Sequence, residues 1–149
     1  MIPTVLNICI ATKTGIQKTP VERANVKENH GIMGDAHAGD WHRQVSLLAN
    51  ESAQKMRDRG ANVGPGDFGE NLLTRGIDLP SLPVGSRLAL GDVLLEVTQI
   101  GKKCHSHCAI YYAAGECVMP SEGIFCRVLR GGELGGGMQI TVLPSDTGH

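Results

Sequence analysis

The sequence predicts a mainly β protein, folded as a closed or partly open β-barrel with one or two short helices. The chain of 149 residues contains 20 glycines and only 3% aromatic residues, so its core must come from Val, Leu and Ile while the glycines supply turns. Its apolar runs are short, and about seven of them at modest spacing are typical of a barrel or sandwich. The length fits one domain, residues 1–149, with a core from about 5 to 143.

The first half of the chain predicts two strands, a loop and a helix. Thr4–Ala11 is rich in aliphatic and β-branched residues and predicts the opening strand. Residues 29–40 carry three glycines and two histidines without periodicity, which indicates a loop, and Arg43–Ala49 returns to a strand pattern. Asn50 is a typical N-cap residue, a run of helix formers follows it, and Gly60 is a typical residue at which a helix ends.

The second half predicts five short strands. Two of them, Phe68–Thr74 and Arg87–Leu90, are bounded by Gly and Pro. Val93–Ile100 is the clearest strand, because its side chains alternate and most are good β formers, and the Gly-Asp pair before it predicts a two-residue hairpin. Ile124–Leu129 and Met138–Leu143 predict the closing strands, with a glycine-rich stretch between them.

Charge and composition exclude several classes of partner. The chain has 14 basic and 15 acidic residues and no run of five like charges, so nucleic acid and anionic membranes are poor partners. No apolar run approaches the roughly 20 residues that a membrane-spanning helix needs. The early apolar patch has no positive residue before it, unlike a secretion signal. We therefore expect a cytoplasmic protein whose five cysteines stay reduced.

The segment from Gly101 to Cys108 concentrates reactive side chains directly after a predicted strand. It contains two thiols, two imidazoles and two ammonium groups within eight residues. A thiolate is the form of cysteine that acts as nucleophile or metal ligand, and neighbouring cations such as Lys103 and protonated His105 favour it. Cys104 is therefore the first candidate for a catalytic residue. The alternative is a pair of small buried thiols, because free cysteine is among the most buried residue types.

A zinc site is a second interpretation of the same cysteines. Cys104, Cys108 and Cys117, with the neighbouring histidines, supply enough ligands for a tetrahedral ion, but their spacing is not the common C-x2-C pairing. Cys9 and Cys126 fall within predicted strands and are most simply core thiols.

Two polar loops supply candidate binding residues. One sets a carboxylate two residues before an imidazole in a glycine-rich stretch, which suits anion binding or a proton relay. The other can donate and accept hydrogen bonds to a ligand ring. The alternative is an Asx-type turn with an exposed histidine for the first loop and solvated turn residues for the second. Neither loop matches a P-loop or a dinucleotide fingerprint. The candidates are Asp35, His37, Arg43 and Gln44 in the first loop and Glu70 and Asn71 in the second.

These segments together resemble the MOSC domain, named for the C-terminal part of molybdenum-cofactor sulfurases, in its short stand-alone bacterial form. The resemblance runs from about Val5 to Leu143 and implies a mostly β barrel related to the barrel domain of pyruvate kinase. The segments that carry it are 34–37, 43–45, 69–72, 82–85 and the region of Cys104.

The resemblance implies a role in handling the molybdenum cofactor (molybdopterin). The characteristic cysteine of the family, which corresponds to Cys104, would carry sulfur as a persulfide or ligate molybdenum. Cys108, four residues later in the sequence, is a further candidate metal ligand. Lys103 and His105 would join the two polar loops in binding the cofactor. The chain shows no pyridoxal phosphate site of its own, so a cysteine desulfurase-type donor and molybdenum-cofactor proteins are the expected partners. A non-catalytic delivery module and a zinc-stabilised interaction domain are the alternatives.

Overall fold

A computed structural model describes residues 2–14, 16–101 and 122–143. The elements that lie wholly within these ranges are eleven strands, one α-helix (α1, Asn50–Asp58) and one 3₁₀ turn (Leu79–Ser81). The strands are β1 (Thr4–Ile10), β2 (Thr19–Val21), β3 (Arg23–Lys27), β4 (Gly31–Ile32), β5 (Val45–Ala49), β6 (Leu72–Arg75), β7 (Arg87–Leu90), β8 (Val93–Ile100), β9 (Ile124–Arg130), β10 (Gly132–Gly135) and β11 (Thr141–Leu143).

The strands form one large sheet and one small sheet. The large sheet has the order β11-β7-β8-β9-β5-β6-β1-β2, and the small one has the order β10-β3-β4. Neighbouring strands are antiparallel except β5 and β6, which are parallel and are connected through α1. The large sheet forms an open half-barrel, which confirms the predicted mainly β, partly open barrel.

The core lies on both faces of β5. Leu47 packs in the main apolar cluster, whereas Leu48 joins a smaller cluster that includes Met56 of α1 and Phe125 of β9. Successive side chains of a strand point to opposite faces, so a strand buried on both sides needs apolar residues at both parities. The sequence of β5 meets this requirement, and all five of its residues are buried.

The β7–β8 hairpin follows the predicted pattern. Val93, Leu95 and Val97 are buried and alternate with partly exposed residues. Leu90 pairs with Val93 across the two-residue turn, in which Gly91 has a φ of 59°. A positive φ of this kind is favourable for glycine and strained for most other residues, which explains why the Gly-Asp pair predicts the hairpin.

The predicted helix is confirmed, but its cap is one residue earlier than expected. Ala49 occupies the N-cap position with extended backbone angles, and no side chain in the described part of the chain caps the helix. Asn50 lies in the first turn instead, where its Oδ1 accepts a hydrogen bond of 2.6 Å from Arg57 Nη2. Gly60 follows the helix with a φ of 97°, as predicted for a glycine that ends a helix. Among the residues described, no helix is long and apolar enough to cross a membrane.

The remaining differences from the sequence prediction concern short strands. The sequence pattern does not reveal β2, β3, β4 and β10, and β4 lies within the stretch 29–40 that was predicted to be a loop. β10 has the sequence Gly-Glu-Leu-Gly and is a strand because it pairs with β3 along its whole length. The predicted strand at Phe68 is shortened to β6, because the carboxylate of Glu70 accepts the amides of Gly66 and Phe68 and holds a turn there. The last predicted strand is likewise shortened to β11.

Candidate functional site

Three loops meet at one end of the central strands. Strand β1 ends where β2, β5 and β6 begin, because β1 is antiparallel to β2 and β6 while β5 and β6 are parallel. The amide of Ala36 donates to Ala11 O at 2.8 Å, and the amide of Lys18 donates to Gly66 O at 2.8 Å. The two polar loops of the sequence are therefore joined through a third. We name them the Lys18 loop (residues 11–18, of which 15 lies outside the described residues), the His37 loop (33–44) and the Glu70 turn (64–71).

A buried ion pair joins the Lys18 loop to the His37 loop. Lys18 Nζ lies 2.8 Å from Asp35 Oδ1, and the two side chains are 1% and 0% exposed. The amide of Ala11 donates to the same oxygen at 3.1 Å, and the amide of His37 donates to Oδ2 at 3.1 Å. Burial alone would raise the pKa of Asp35, but the hydrogen bond and charge of Lys18 outweigh it and lower that pKa below its ordinary value. Asp35 is therefore a paired, ionised carboxylate.

His37 contacts both members of this pair. Lys18 Nζ is 2.9 Å from His37 Nδ1, whereas Asp35 Oδ2 is 3.8 Å from the same nitrogen. Trp41 Nε1 donates to His37 O at 2.7 Å, and the two rings are parallel within 3° with centroids 6.3 Å apart. The sequence predicted that Asp35 and His37 act together, but it offered no signal for Lys18, because one lysine in a loop is ordinarily exposed.

Arg43 is tied to the end of β8. Its Nε donates to Gln99 Oε1 at 3.1 Å, and His42 Nε2 lies 2.9 Å from the same oxygen. Gln99 Nε2 in turn donates to Gly101 O at 2.7 Å. The guanidinium carbon of Arg43 is 5.2 Å from the ring centroid of Phe125, a distance typical of a cation–π contact. The His37 loop is thereby linked to the backbone from which residues 102–121 continue.

The two amide candidates are used inside the sheet. Gln44 is fully buried, and its Oε1 accepts the amide of Val128 at 2.8 Å. Asn71 is also fully buried, and its Nδ2 donates to Cys9 O at 3.0 Å while its Oδ1 accepts the amide of Ser46 at 2.9 Å. These bonds connect neighbouring strands where the ladder is incomplete. Direct contact of either residue with a ligand stays a prediction.

Glu70 is a fully buried carboxylate that closes its own turn. Its Oε2 accepts the amide of Gly66 at 2.8 Å, and its Oε1 accepts the amide of Phe68 at 3.2 Å. Burial raises the pKa of Glu70 from its ordinary value of 4.5 to about 7, although the backbone hydrogen bonds act in the opposite direction. Burial, together with the charge of Glu70, raises the pKa of the neighbouring Cys9 thiol to about 12. The Glu70 turn thus holds a buried carboxyl with a raised pKa beside an unreactive thiol.

The cysteines divide into buried thiols and those outside the described residues. Cys9 and Cys126 are free, fully buried thiols, and burial raises the pKa of Cys126 as well. No group of three or more His, Cys, Asp or Glu side chains in residues 2–14, 16–101 and 122–143 could hold a metal ion. The candidates Lys103, Cys104, His105, Cys108 and Cys117 all lie outside the described residues.

Sequence comparison decides the family. A family model described as the MOSC domain matches residues 34–141, which is more than half of the chain. The chain belongs to the MOSC domain family. The matched segment begins in the His37 loop and ends in β11, so Lys18 lies before it. No curated protein matches the sequence.

Solved structures share the fold of this MOSC domain. YuaD from Bacillus subtilis is 21% identical with a TM-score of 0.78, and the match covers 95% of this chain and 96% of that one. YiiM from Geobacillus stearothermophilus is 21% identical with a TM-score of 0.76, covering 98% and 77%. YiiM from Escherichia coli is 18% identical with a TM-score of 0.65, covering 95% and 68%. At these identities the likeness concerns the fold, not the activity.

Proposed function

We propose that this MOSC domain is a sulfur carrier for the molybdenum cofactor, with Cys104 holding the transferred sulfur as a persulfide. The family is associated with molybdenum cofactor sulfurase-like proteins, and that association is the ground for naming the cofactor. The observation that carries the proposal is the chain of hydrogen bonds from Arg43 through Gln99 to Gly101. It links the polar loops to the backbone three residues before Cys104, and three residues span at most about 11 Å.

The transfer step needs one activated thiolate. The Cys104 thiolate attacks the outer sulfur of a donor persulfide, a new S–S bond forms, and the inner sulfur of the donor leaves as a thiolate. The outer sulfur keeps its hydrogen, so the step requires no external oxidant or reductant. Lys103 and His105 would stabilise the attacking anion. A cysteine desulfurase is the proposed donor because enzymes of this class form a protein persulfide, and the reducing cytosol suits a chain that keeps free thiols.

The described residues suited to hold the acceptor are His37 and Arg43. Both are partly exposed and carry N–H donors, which bind the oxygens of phosphate and other anions. When bound, the molybdenum cofactor supplies the acceptor for the sulfur. The buried candidates hold the loops in place instead, because their polar atoms form hydrogen bonds within the protein. These residues are Asp35, Gln44, Glu70 and Asn71.

Cys9 offers a matched control for Cys104. Its thiol is fully buried, and its pKa is raised to about 12, so it holds little thiolate near neutral pH. Cys104→Ser and Cys9→Ser remove the same atom from a candidate nucleophile and from a core thiol. A sulfur carrier should therefore respond to the first substitution and not to the second.

The test is persulfide loading followed by intact mass measurement. Wild-type protein and Cys9→Ser, incubated with a cysteine desulfurase and cysteine, should gain one sulfur atom that a reductant removes, and Cys104→Ser should gain none. Equal loading of Cys104→Ser would refute the carrier function. Metal analysis of protein purified from a host that makes molybdenum cofactor identifies the two alternatives. Bound molybdenum without persulfide loading indicates a delivery module. Bound zinc whose chelation unfolds the domain indicates a zinc-stabilised interaction domain.

A further inference from the structure

Lys18 is a buried lysine that donates to a histidine. Its side chain is 1% exposed, and its Nζ lies 2.8 Å from Asp35 Oδ1 and 2.9 Å from His37 Nδ1. Such burial is rare for lysine unless the ammonium is paired and hydrogen-bonded. The residue lies before the segment that matches the family model, and the polar pattern of the sequence did not single it out.

The chemistry of the ammonium decides which nitrogen of His37 carries hydrogen. An ammonium group has three donors and no acceptor, so the nitrogen that it contacts must offer a lone pair. His37 Nδ1 is that nitrogen, and in a neutral imidazole the hydrogen is then on Nε2. We propose that Lys18 is a positioning residue that holds His37 in the Nε2–H tautomer, so that His37 offers a neutral hydrogen-bond donor to an oxygen atom of an anion.

The role of Asp35 follows from the same distances. A carboxylate next to a histidine often accepts Nδ1–H and thereby leaves the Nε2 lone pair for a metal ion. Here Asp35 Oδ2 is 3.8 Å from Nδ1, too far for a hydrogen bond, and it accepts the amide of His37 instead. Asp35 Oδ1 holds the ammonium of Lys18. The sequence spacing of Asp35 and His37 therefore resembles that of a carboxylate and a metal-binding histidine. Lys18 changes the outcome, because it makes His37 Nδ1 a hydrogen-bond acceptor and leaves the hydrogen on Nε2.

The backbone around His37 holds the ring in place for this role. Its carbonyl accepts from Trp41 Nε1 at 2.7 Å, and the preceding amide, that of Ala36, donates to Ala11 O at 2.8 Å. Tautomer and orientation are thus determined within the protein, without a ligand. The identity of the anion rests on the proposed function, whereas the tautomer does not.

The proposal is tested by nitrogen-15 NMR of the histidine side chains in the unliganded protein. The measurement is made at about pH 8, above the ordinary histidine pKa of about 6.5. His37 is assigned among the 6 histidines by comparison with His37→Gln. We expect a pyridine-type shift for Nδ1 and a pyrrole-type shift for Nε2. The opposite pattern, or an imidazolium, in the wild-type protein overturns the proposal without any further variant.

Two substitutions then identify the residue that selects the tautomer. In Lys18→Met, Nδ1 loses its donor and faces the Asp35 carboxylate, so the hydrogen should move to Nδ1. Lys13→Met removes the same charge from an exposed position of the same loop and should leave the wild-type pattern. If Lys18→Met does not fold, Asp35→Asn answers the question, because Lys18 still donates and the Nε2–H tautomer should persist. Transfer of the hydrogen to Nδ1 in Asp35→Asn would assign the selection to Asp35 and overturn the proposal.

The outcomes for the two proposals are separable. Absence of persulfide loading together with the expected tautomer rejects the sulfur-carrier function alone. Normal loading with hydrogen on Nδ1 rejects the role of Lys18 alone.

Discussion

Two ion pairs in this protein have the same length and very different surroundings. Lys18 Nζ–Asp35 Oδ1 and Lys55 Nζ–Glu122 Oε1 are both 2.8 Å. The first pair is 1% and 0% exposed, whereas the second is 59% and 23% exposed. The distance between two charges therefore says little about what they contribute, because water screens the exposed pair and leaves the buried pair dependent on its partners. The buried pair joins two loops, and the exposed pair joins α1 to Glu122, two residues before β9.

The largest expected effect is that of Lys18→Met. It leaves the buried carboxylate of Asp35 without its cation, and breaking a buried pair in this way costs about 3–5 kcal/mol of unfolding free energy. Urea unfolding at pH 7 measures the loss, with Lys13→Met as a control that removes an equal charge from an exposed site. A loss below about 1 kcal/mol would mean that the buried pair behaves like an exposed one.

Gly66→Ala tests whether the Glu70 turn holds Lys18 in place. A Cβ at Gly66 would lie 2.1 Å from Lys18 O, and the φ of 85° is unfavourable for alanine. Overpacking and backbone strain together predict a loss of about 2–4 kcal/mol.

Gly34→Ala is the matched control for this change. Gly34 has a φ of 88°, but nothing lies within 4 Å of the position that an added methyl group would occupy, so this variant should show the strain alone, about 1 kcal/mol. Thermal melting of both variants gives the difference. Equal losses would mean that the close approach of the turn to Lys18 is easily relieved.

Glu70 and Asp35 are both buried carboxyls, but within the described part of the chain only Asp35 of the two forms an ion pair with a cation. The pKa of Glu70 is raised from 4.5 to about 7, so the folded state binds the proton more tightly and stability falls as the pH rises through that window. The fall should be about 3 kcal/mol, because one pKa unit corresponds to about 1.4 kcal/mol. The pKa of Asp35 is lowered, so its contribution is present above its ordinary value of 3.8 and is lost at lower pH.

Glu70→Gln separates the contributions of Glu70 and Asp35 to the pH dependence of stability, because glutamine resembles the protonated form of Glu70 at every pH. Chemical denaturation at a series of pH values, roughly between 4 and 8, measures the free energy of unfolding. This free energy should vary less with pH in the variant than in the wild type. An unchanged slope would show that Glu70 does not titrate in this window.

The smallest effect is expected for Lys55→Met. The exposed pair with Glu122 should contribute less than about 1 kcal/mol. Its contribution should also vanish in roughly 1 M salt, where the screening length is about 3 Å, whereas the loss in Lys18→Met should persist. Unfolding of both variants at low and high salt measures this, and a salt-insensitive loss above about 1 kcal/mol in Lys55→Met would remove the contrast between the pairs.

The sequence by itself determined the elements whose signal is local. The β7–β8 hairpin has the predicted ends because alternating apolar residues and a Gly-Asp turn specify it within a short stretch. The helix was located by its composition and by Gly60, although Ala49 rather than Asn50 is the N-cap. The family motifs were sufficient to predict the MOSC fold. The proximity of Asp35 to His37 followed from their spacing in one loop.

The tertiary structure decided everything that depends on distant partners. β10 is a strand because β3 is available to pair with it, and a Gly-Glu-Leu-Gly segment has no such preference of its own. Gln44 and Asn71 were predicted to contact a ligand, which stays a prediction, but only the structure shows that their amides also bond to other strands. Lys18 joined the site for the same reason. Its charge is evident from the sequence, but its burial against Asp35 and His37 follows from strand pairing that brings three loops to one end of the sheet.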